Sequence, residues 1–326
     1  MIEKIKVAFI YRPSYNFLTG NHFDNTTHDF FMKALPRNNS LEIKYFPTEK
    51  NFDALQLKDK FDAILLPTNH HVGTPDVLHG IEKLKIPVIS RVGDPHDALK
   101  TKKITYHEKY HIDYYFNFMP QEYFYKFYPK HFKYKTIVFG LEPSLFQNLT
   151  NFQDRIKDKI LNSGAVGKTS IKSRIANRIL NPKQSSWYFY KLRTMCNDLP
   201  YVVHTGMIKQ KYIFDDYSQL LSRYRAAIAA TTFYPTIKYW EISAAGCLPF
   251  MEITDLNYGK YLGYEDNKTA IFINEKNYKE KFEDYLSDPD NKHWEQIATQ
   301  SRRYTITELN NDKAAESLVE LITSLL

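Results

Sequence analysis

The chain has 326 residues, 43% of them hydrophobic and 25% charged, the balance of a folded globular protein with room for two domains. Mean hydropathy is −0.49, and no apolar run approaches the ~20 residues that span a bilayer. Two cysteines, Cys196 and Cys247, give neither metal-type spacing nor a disulfide framework. The net charge of +7 favours anionic partners, whether nucleic acid, nucleotide phosphates or anionic lipid, without choosing among them.

The first residues run straight into a strand and lack the apolar stretch and cleavage site of a signal peptide, so a cytoplasmic location is expected. Residues 5–11 are a continuous apolar run, as in a strand buried on both faces. A helix is predicted over 27–35, stopping at Pro36. Strands follow at 41–46 and 62–67. Thr74 as N-cap and Pro75 at the first helical position predict a helix over 75–84. Further strands are predicted at 86–92, 112–118 and 136–139, with a helix from about Gln121 between the last two. This β-α-β order implies a parallel sheet covered by helices.

The pattern restarts after residue 150. A strand at 159–162 leads into Ser163–Thr169 and a helix carrying Ile171, Ile175 and Ile179. Strands are predicted at 201–204, 226–230, 248–251 and 270–273. A helix over 237–245 ends at Gly246, and residues 277–326 read as helical. The expected architecture is α/β, with two Rossmann-like doubly wound domains, 1–150 and 151–326, facing a cleft. In such sheets ligands sit at the carboxyl ends of the strands.

Three motifs compete for attention. His107-Glu108-Lys109-Tyr110-His111 fits the H-E-x-x-H zinc pattern, but a strand follows at once and leaves too little helix. Asn162–Thr169 (NSGAVGKT) nearly fits a phosphate-binding P-loop, with Asn162 where the first glycine belongs. That leaves a nucleotide phosphotransferase as an alternative, with Gly164 and Lys168 able to meet phosphate either way. Asp288-Pro289-Asp290 fits an Asp-x-Asp metal motif but reads as a turn between helices. No metal site is expected.

Residues 137–146 (IVFGLEPSLF) resemble the segment that closes the N-terminal domain of family 4-like glycosyltransferases. Tyr234–Pro249 (YPTIKYWEISAAGCLP) is similar to their donor-site helix, and Leu262–Asp266 (LGYED) resembles a segment of the spore-maturation CgeB-like glycosyltransferase group. The resemblance implies a GT-B fold and transfer of a sugar from a nucleotide diphosphate-sugar to a hydroxyl acceptor. It also implies donor contacts from Tyr234, Thr236, Lys238 and Glu241, the last resembling the carboxylate that accepts the ribose hydroxyls, with Gly246 as C-cap. Gly164, Lys168 and Arg174 join the expected donor set. The family often carries a second glutamate eight residues before Glu241, where this chain has Phe233. Thr231, Thr232 and Tyr234 are the hydroxyls left nearby.

On the N-terminal side, Asp94 and His96 follow a buried strand and are the expected catalytic pair, able to orient or deprotonate an acceptor hydroxyl. A capped turn is the other reading of those residues. Residues 123–135 pack four lysines and seven aromatics into thirteen positions, a composition suited to an anionic membrane surface; packing of several of these rings under the sheet is the other reading. Taken together, the expectation is a hexosyltransferase in polysaccharide biosynthesis at the cell surface. No cofactor is obligatory, the acceptor is a glycan or lipid-linked, and no nucleic acid is involved. A GT-B-like protein that binds nucleotide or sugar without turnover is the non-enzymatic alternative.

Overall fold

The computed structural model describes residues 4–21, 25–98, 102–167, 172, 175, 179, 186–206 and 215–326. It divides into two compact units, Met1–Glu142 with Asn310–Leu326, and Pro143–Leu309. The sequence reading placed 310–326 with the second half; in the structure this segment packs on the first.

Apolar runs build the first unit's strands: β1 (Ile5–Tyr11), β2 (Leu41–Pro47), β3 (Asn51–Asp53), β4 (Ala63–Leu66), β5 (Val77–His79), β6 (Val88–Arg91), β7 (Tyr114–Asn117) and β8 (Tyr134–Thr136). Six form one sheet in the order β2-β1-β4-β6-β7-β8, with every pair parallel. Both faces are covered, as a parallel sheet requires. One carries Phe30, Phe31, Ala34 and the apolar stripe Ala314, Leu318, Leu321 of the C-terminal helix Asn311–Thr323. The other carries Phe52, Ile81, Tyr110, Phe124 and Tyr128. Asn311 ties that helix to the end of the sheet: its Oδ1 accepts from Gly140 N at 2.7 Å, and its N–H donates to Leu141 O at 2.8 Å.

Several local readings change. The helix expected over 75–84 is absent. Val77–His79 instead pairs in parallel with Asn51–Asp53, Leu78 turning inward between exposed neighbours, and Gly80 breaks the chain at φ +75°. Thr74 does not cap a helix; its hydroxyl donates to Thr68 O at 2.6 Å. The first helix runs one residue past Pro36, its middle turn, Asp29–Ala34, widened to a π-helix. The strand expected at 136–139 lies at Tyr134–Thr136.

The second unit holds β9 (Ile156–Asn162), β10 (Val202–His204), β11 (Tyr224–Ala229), β12 (Leu248–Met251) and β13 (Ile271–Phe272), in the order β10-β9-β11-β12-β13. All pairs are parallel. Counting from its own first strand, the order is 2-1-3-4-5, a doubly wound arrangement with its switch point between β9 and β11. The helices Lys191–Cys196, Tyr278–Ser287 and Lys292–Glu308 bring Leu192, Phe282, Tyr285 and Ile297 into a core with Ile160, Ile228 and Phe250. Asp288-Pro289-Asp290 forms the turn between the last two helices, Asp290 pairing with Arg225 at 2.8 Å and with Lys157. Among the described residues, no helix is long and apolar enough to cross a membrane.

Candidate functional site

In the second unit, the turns after β9 and β11 flank the switch point, where a doubly wound sheet opens a crevice. The β9 turn is unusual. Gly164 has φ +89°, a conformation that favours glycine. A Cβ there would fall 2.9 Å from Lys238 Cε, 3.1 Å from Lys238 Nζ and 3.6 Å from Arg193 Nη2. Two cationic side chains therefore converge on one glycine. Lys238 Nζ donates to Tyr217 OH at 2.9 Å and lies over that ring. The Tyr217 hydroxyl is in turn 2.9 Å from Ser163 Oγ. His204, at the end of β10, reaches Gly164 O through Nε2 at 2.8 Å.

Arg193 supports this turn from below. It is 1% exposed, donates from Nε to Asn162 Oδ1 at 3.0 Å, and from Nη2 to Ser163 O. Sequence reading missed it, because arginine is seldom buried and a six-residue helix, Lys191–Cys196, is too short to show a periodic signal. Asn162, where a P-loop has its first glycine, spends its amide on Arg193 O and Asn197 Oδ1. Lys168 and Arg174, both expected to meet phosphate, lie outside the described residues.

After β11 comes the helix Lys238–Ala244. At seven residues its dipole is short, so the positive field here belongs mainly to side chains. Glu241 is half-buried one turn in, and its charge is among the causes that raise the Tyr217 pKa, after burial itself. Thus Gly164, Lys238, Glu241 and Tyr217 share one neighbourhood. Tyr234 and Thr236 are placed differently. Tyr234 is buried with its ring edge-on to Phe189, and Thr236 O accepts the Tyr239 N–H that opens the helix. The hydroxyls near Phe233 are engaged by backbone: Thr231 Oγ1 donates to Tyr234 O at 2.6 Å and Thr232 Oγ1 to Tyr188 O at 2.5 Å. Phe233 itself stacks on Tyr188.

The end of this helix is fixed as the sequence implied. Gly246, at φ +70°, donates to Ser243 O, and Cys247 N donates to Ile242 O, a Schellman closure. Arg155 donates to Gly246 O and Arg302 to Ala244 O, placing two cations at the helix's negative end. In Leu262–Asp266, Gly263 (φ +75°) admits the Tyr304 hydroxyl, which donates to Leu262 O at 2.7 Å.

Glu252, just past β12, is 7% exposed, with Oε2 unbonded among the described residues. Burial first, then the nearby Glu275 carboxylate, push its pKa up to about 7, while Lys191 opposes the rise. The folded protein therefore holds this proton between pH 4.5 and 7 while the unfolded chain releases it. Stability present below pH 4.5 is lost as pH rises through 7. Glu252→Gln is expected to remove this slope, on the order of 3 kcal/mol, in urea unfolding followed from pH 4.5 to 8; an unchanged slope would place the titration elsewhere.

In the first unit, the expected pair Asp94 and His96 does come together at the end of β6. Asp94 is exposed and His96 half-buried, with His96 Nε2 4.0 Å from Asp97 Oδ1. Among the described residues, Asp94, His96 and Asp97 are the one group whose metal-binding atoms all lie within 4.8 Å of one another. Lys103, 7% exposed, backs the group and donates to Asp94 O at 3.0 Å. His70, which sequence reading passed over, faces the same place; burial, His71 and Lys103 lower its pKa to about 4, leaving it neutral at pH 7. His107 stacks on Phe132 at 3.8 Å, while His111 lies beyond the helix at φ +49°, so H-E-x-x-H does not assemble a zinc site.

No protein-family model matches the chain, and no curated protein matches its sequence. Solved structures do match its fold. HepE from Anabaena, solved with UDP and glucose, aligns with TM-score 0.58 at 11% identity, over 98% of this chain and 100% of that one. An alpha-glucosyltransferase solved with UDP and a 13-mer DNA aligns at 0.56 and 9% identity, over 98% and 99%. A glycosyltransferase from Rickettsia africae ESF-5 aligns at 0.55 and 10% identity, over 99% and 98%. The likeness covers both units and shows the GT-B fold, with two Rossmann-like units.

Proposed function

We propose that this chain is a hexosyltransferase that moves a sugar from a nucleoside diphosphate-sugar to a hydroxyl acceptor. The observation that carries this reading is the convergence of Lys238 and Arg193 on Gly164, with Glu241 close by, at the switch point of the second unit. The fold supports it, since matching structures were solved with UDP. The finer kinship, to family 4-like and CgeB-like enzymes, rests on the helix bearing Glu241 and on Leu262–Asp266.

In this reading the diphosphate lies along the β9 turn against Lys238, and Glu241 accepts the ribose hydroxyls. Lys168 and Arg174 belong to the same donor set on sequence grounds, and Tyr234 and Thr236 shape the turn that delivers Lys238. During transfer the bond between the sugar's anomeric carbon and the phosphate oxygen breaks, and its electron pair leaves on the diphosphate. Positive side chains stabilise that developing charge. The acceptor oxygen forms the new bond and gives its proton to a general base, the role we assign to Asp94 and His96. No obligatory metal enters this scheme. The test is calorimetry with UDP, GDP, ADP, CDP and dTDP, followed by transfer assays with the matching sugar nucleotides with and without EDTA. Binding in the micromolar range and turnover that survives EDTA are expected; loss of turnover in chelator with rescue by manganese would assign a metal role, for which Asp94, His96 and Asp97 are the candidates.

We place the enzyme in the cytoplasm, acting on a glycan or lipid-linked acceptor at the inner face of the membrane in cell-surface glycan synthesis. The basis for docking is narrower than the composition of 123–135 implied. Tyr123, Phe124, Tyr128, Phe132 and Tyr134 are buried, and Lys135 Nζ donates to Ser317 O on the C-terminal helix. Lys126, Lys130 and Lys133 remain exposed, each worth about 1 kcal/mol near anionic headgroups. A triple Lys126/Lys130/Lys133→Glu variant is expected to leave anionic liposomes that retain the wild type at low salt. Equal sedimentation of both proteins would move docking to another surface.

A further inference from the structure

The role of Arg193 deepens the proposed donor site and rests on that reading. Its guanidinium is almost fully buried, yet among the described residues no carboxylate forms an ion pair with it. The groups it bonds are neutral: Asn162 Oδ1 and the Ser163 carbonyl, with the Tyr190 ring 5.3 Å below. Burying an arginine without a counter-charge is costly. Burial indeed lowers its pKa. A purely structural tie to two oxygens could be made by a neutral side chain. A fixed cation 3.6 Å from the Cβ position of Gly164, next to a second one at 3.1 Å, instead makes a place where an anion is stabilised.

We propose that Arg193 is a positioning residue for the phosphate chain of a nucleoside diphosphate. Through Asn162 and Ser163 it locks the β9 turn, holding Gly164 in its left-handed conformation. Through its unpaired charge it adds to the field that Lys238 presents at the same glycine. The base and ribose are not its concern, so its loss separates phosphate recognition from nucleoside recognition.

The experiment uses the full chain as wild type, R193Q and R193K. Each is titrated calorimetrically with the nucleoside diphosphate that wild type binds best among UDP, GDP, ADP, CDP and dTDP, and with the parent nucleoside, at 50 and 300 mM salt. R193Q is expected to lose 10- to 100-fold in affinity for the diphosphate and less than threefold for the nucleoside, with a shallower salt dependence. R193K keeps the charge but not the fork and is expected to recover part of the diphosphate affinity. Equal losses for both ligands would make Arg193 merely structural and overturn the proposal, as would an unchanged R193Q. If R193Q fails to fold, R193K carries the test: a loss of about tenfold confined to the diphosphate is expected, and a loss shared with the nucleoside overturns it. Wild type that binds none of the five diphosphates would remove the donor site itself, and this inference with it.

Discussion

Glu241→Ala is expected to weaken nucleoside diphosphate binding by about 10- to 150-fold while the protein stays folded. Glu241 is half-buried in the helix that follows the β11 turn, in a neighbourhood that also holds Tyr217 and Lys238. A carboxylate accepting two ribose hydroxyls makes charge-assisted hydrogen bonds, whose loss costs about 1.5–3 kcal/mol. The helix itself does not depend on this side chain. Its ladder uses the Glu241 backbone, the N–H donating to Ile237 O and the carbonyl accepting from Ala245 N, and alanine is a good helix former. Calorimetry of a variant with wild-type circular dichroism reads the effect. Deoxynucleoside diphosphates should lose less, since part of the contact is already missing. An unchanged affinity would remove Glu241 from the site.

Gly164→Ala is the second large expected effect, and it acts through two routes. An L-residue at φ +89° pays about 1–2 kcal/mol in conformation. The new methyl also occupies space now held by the end of Lys238, 2.9 Å from its Cε. That side chain is flexible and can swing away, so the fold survives, but the ammonium leaves the turn and its bond to Tyr217. We expect at least a tenfold loss of diphosphate affinity with only a modest fall in melting temperature. A Gly164→Ala protein that binds as tightly as wild type would separate this turn from the phosphates.

Much of the fold was legible in the sequence because buried parallel strands write continuous apolar runs. Ile5–Tyr11, Ala63–Leu66 and Tyr224–Ala229 lie where such runs predict. Capping chemistry misled at Thr74–Pro75, where local helix signals lost to pairing of Val77–His79 with a strand 26 positions earlier, a contact no local pattern records. The aromatic richness of 123–135 reads as a surface feature by composition, but its rings fill the core under β7 and β8.

The candidate site was legible in part. Lys238, Glu241 and Gly246 sit in a helix whose residue order carries a family resemblance, and Gly164 in a small-residue turn. Arg193, Tyr217 and His204 were not legible, because they reach Ser163 and Gly164 of the β9 turn from three separate elements and carry no motif. Glu252 was hidden for another reason: only burial turns an ordinary glutamate into one that holds its proton near neutral pH.

The most direct measurement of the donor site is a crystal structure of the protein grown with the nucleoside diphosphate it binds best. The account predicts the diphosphate against Gly164 and within hydrogen-bond reach of Lys238 Nζ, with the ribose hydroxyls on Glu241. A nucleotide seated in the first unit, or one in the second unit touching neither Gly164 nor Lys238, would contradict it.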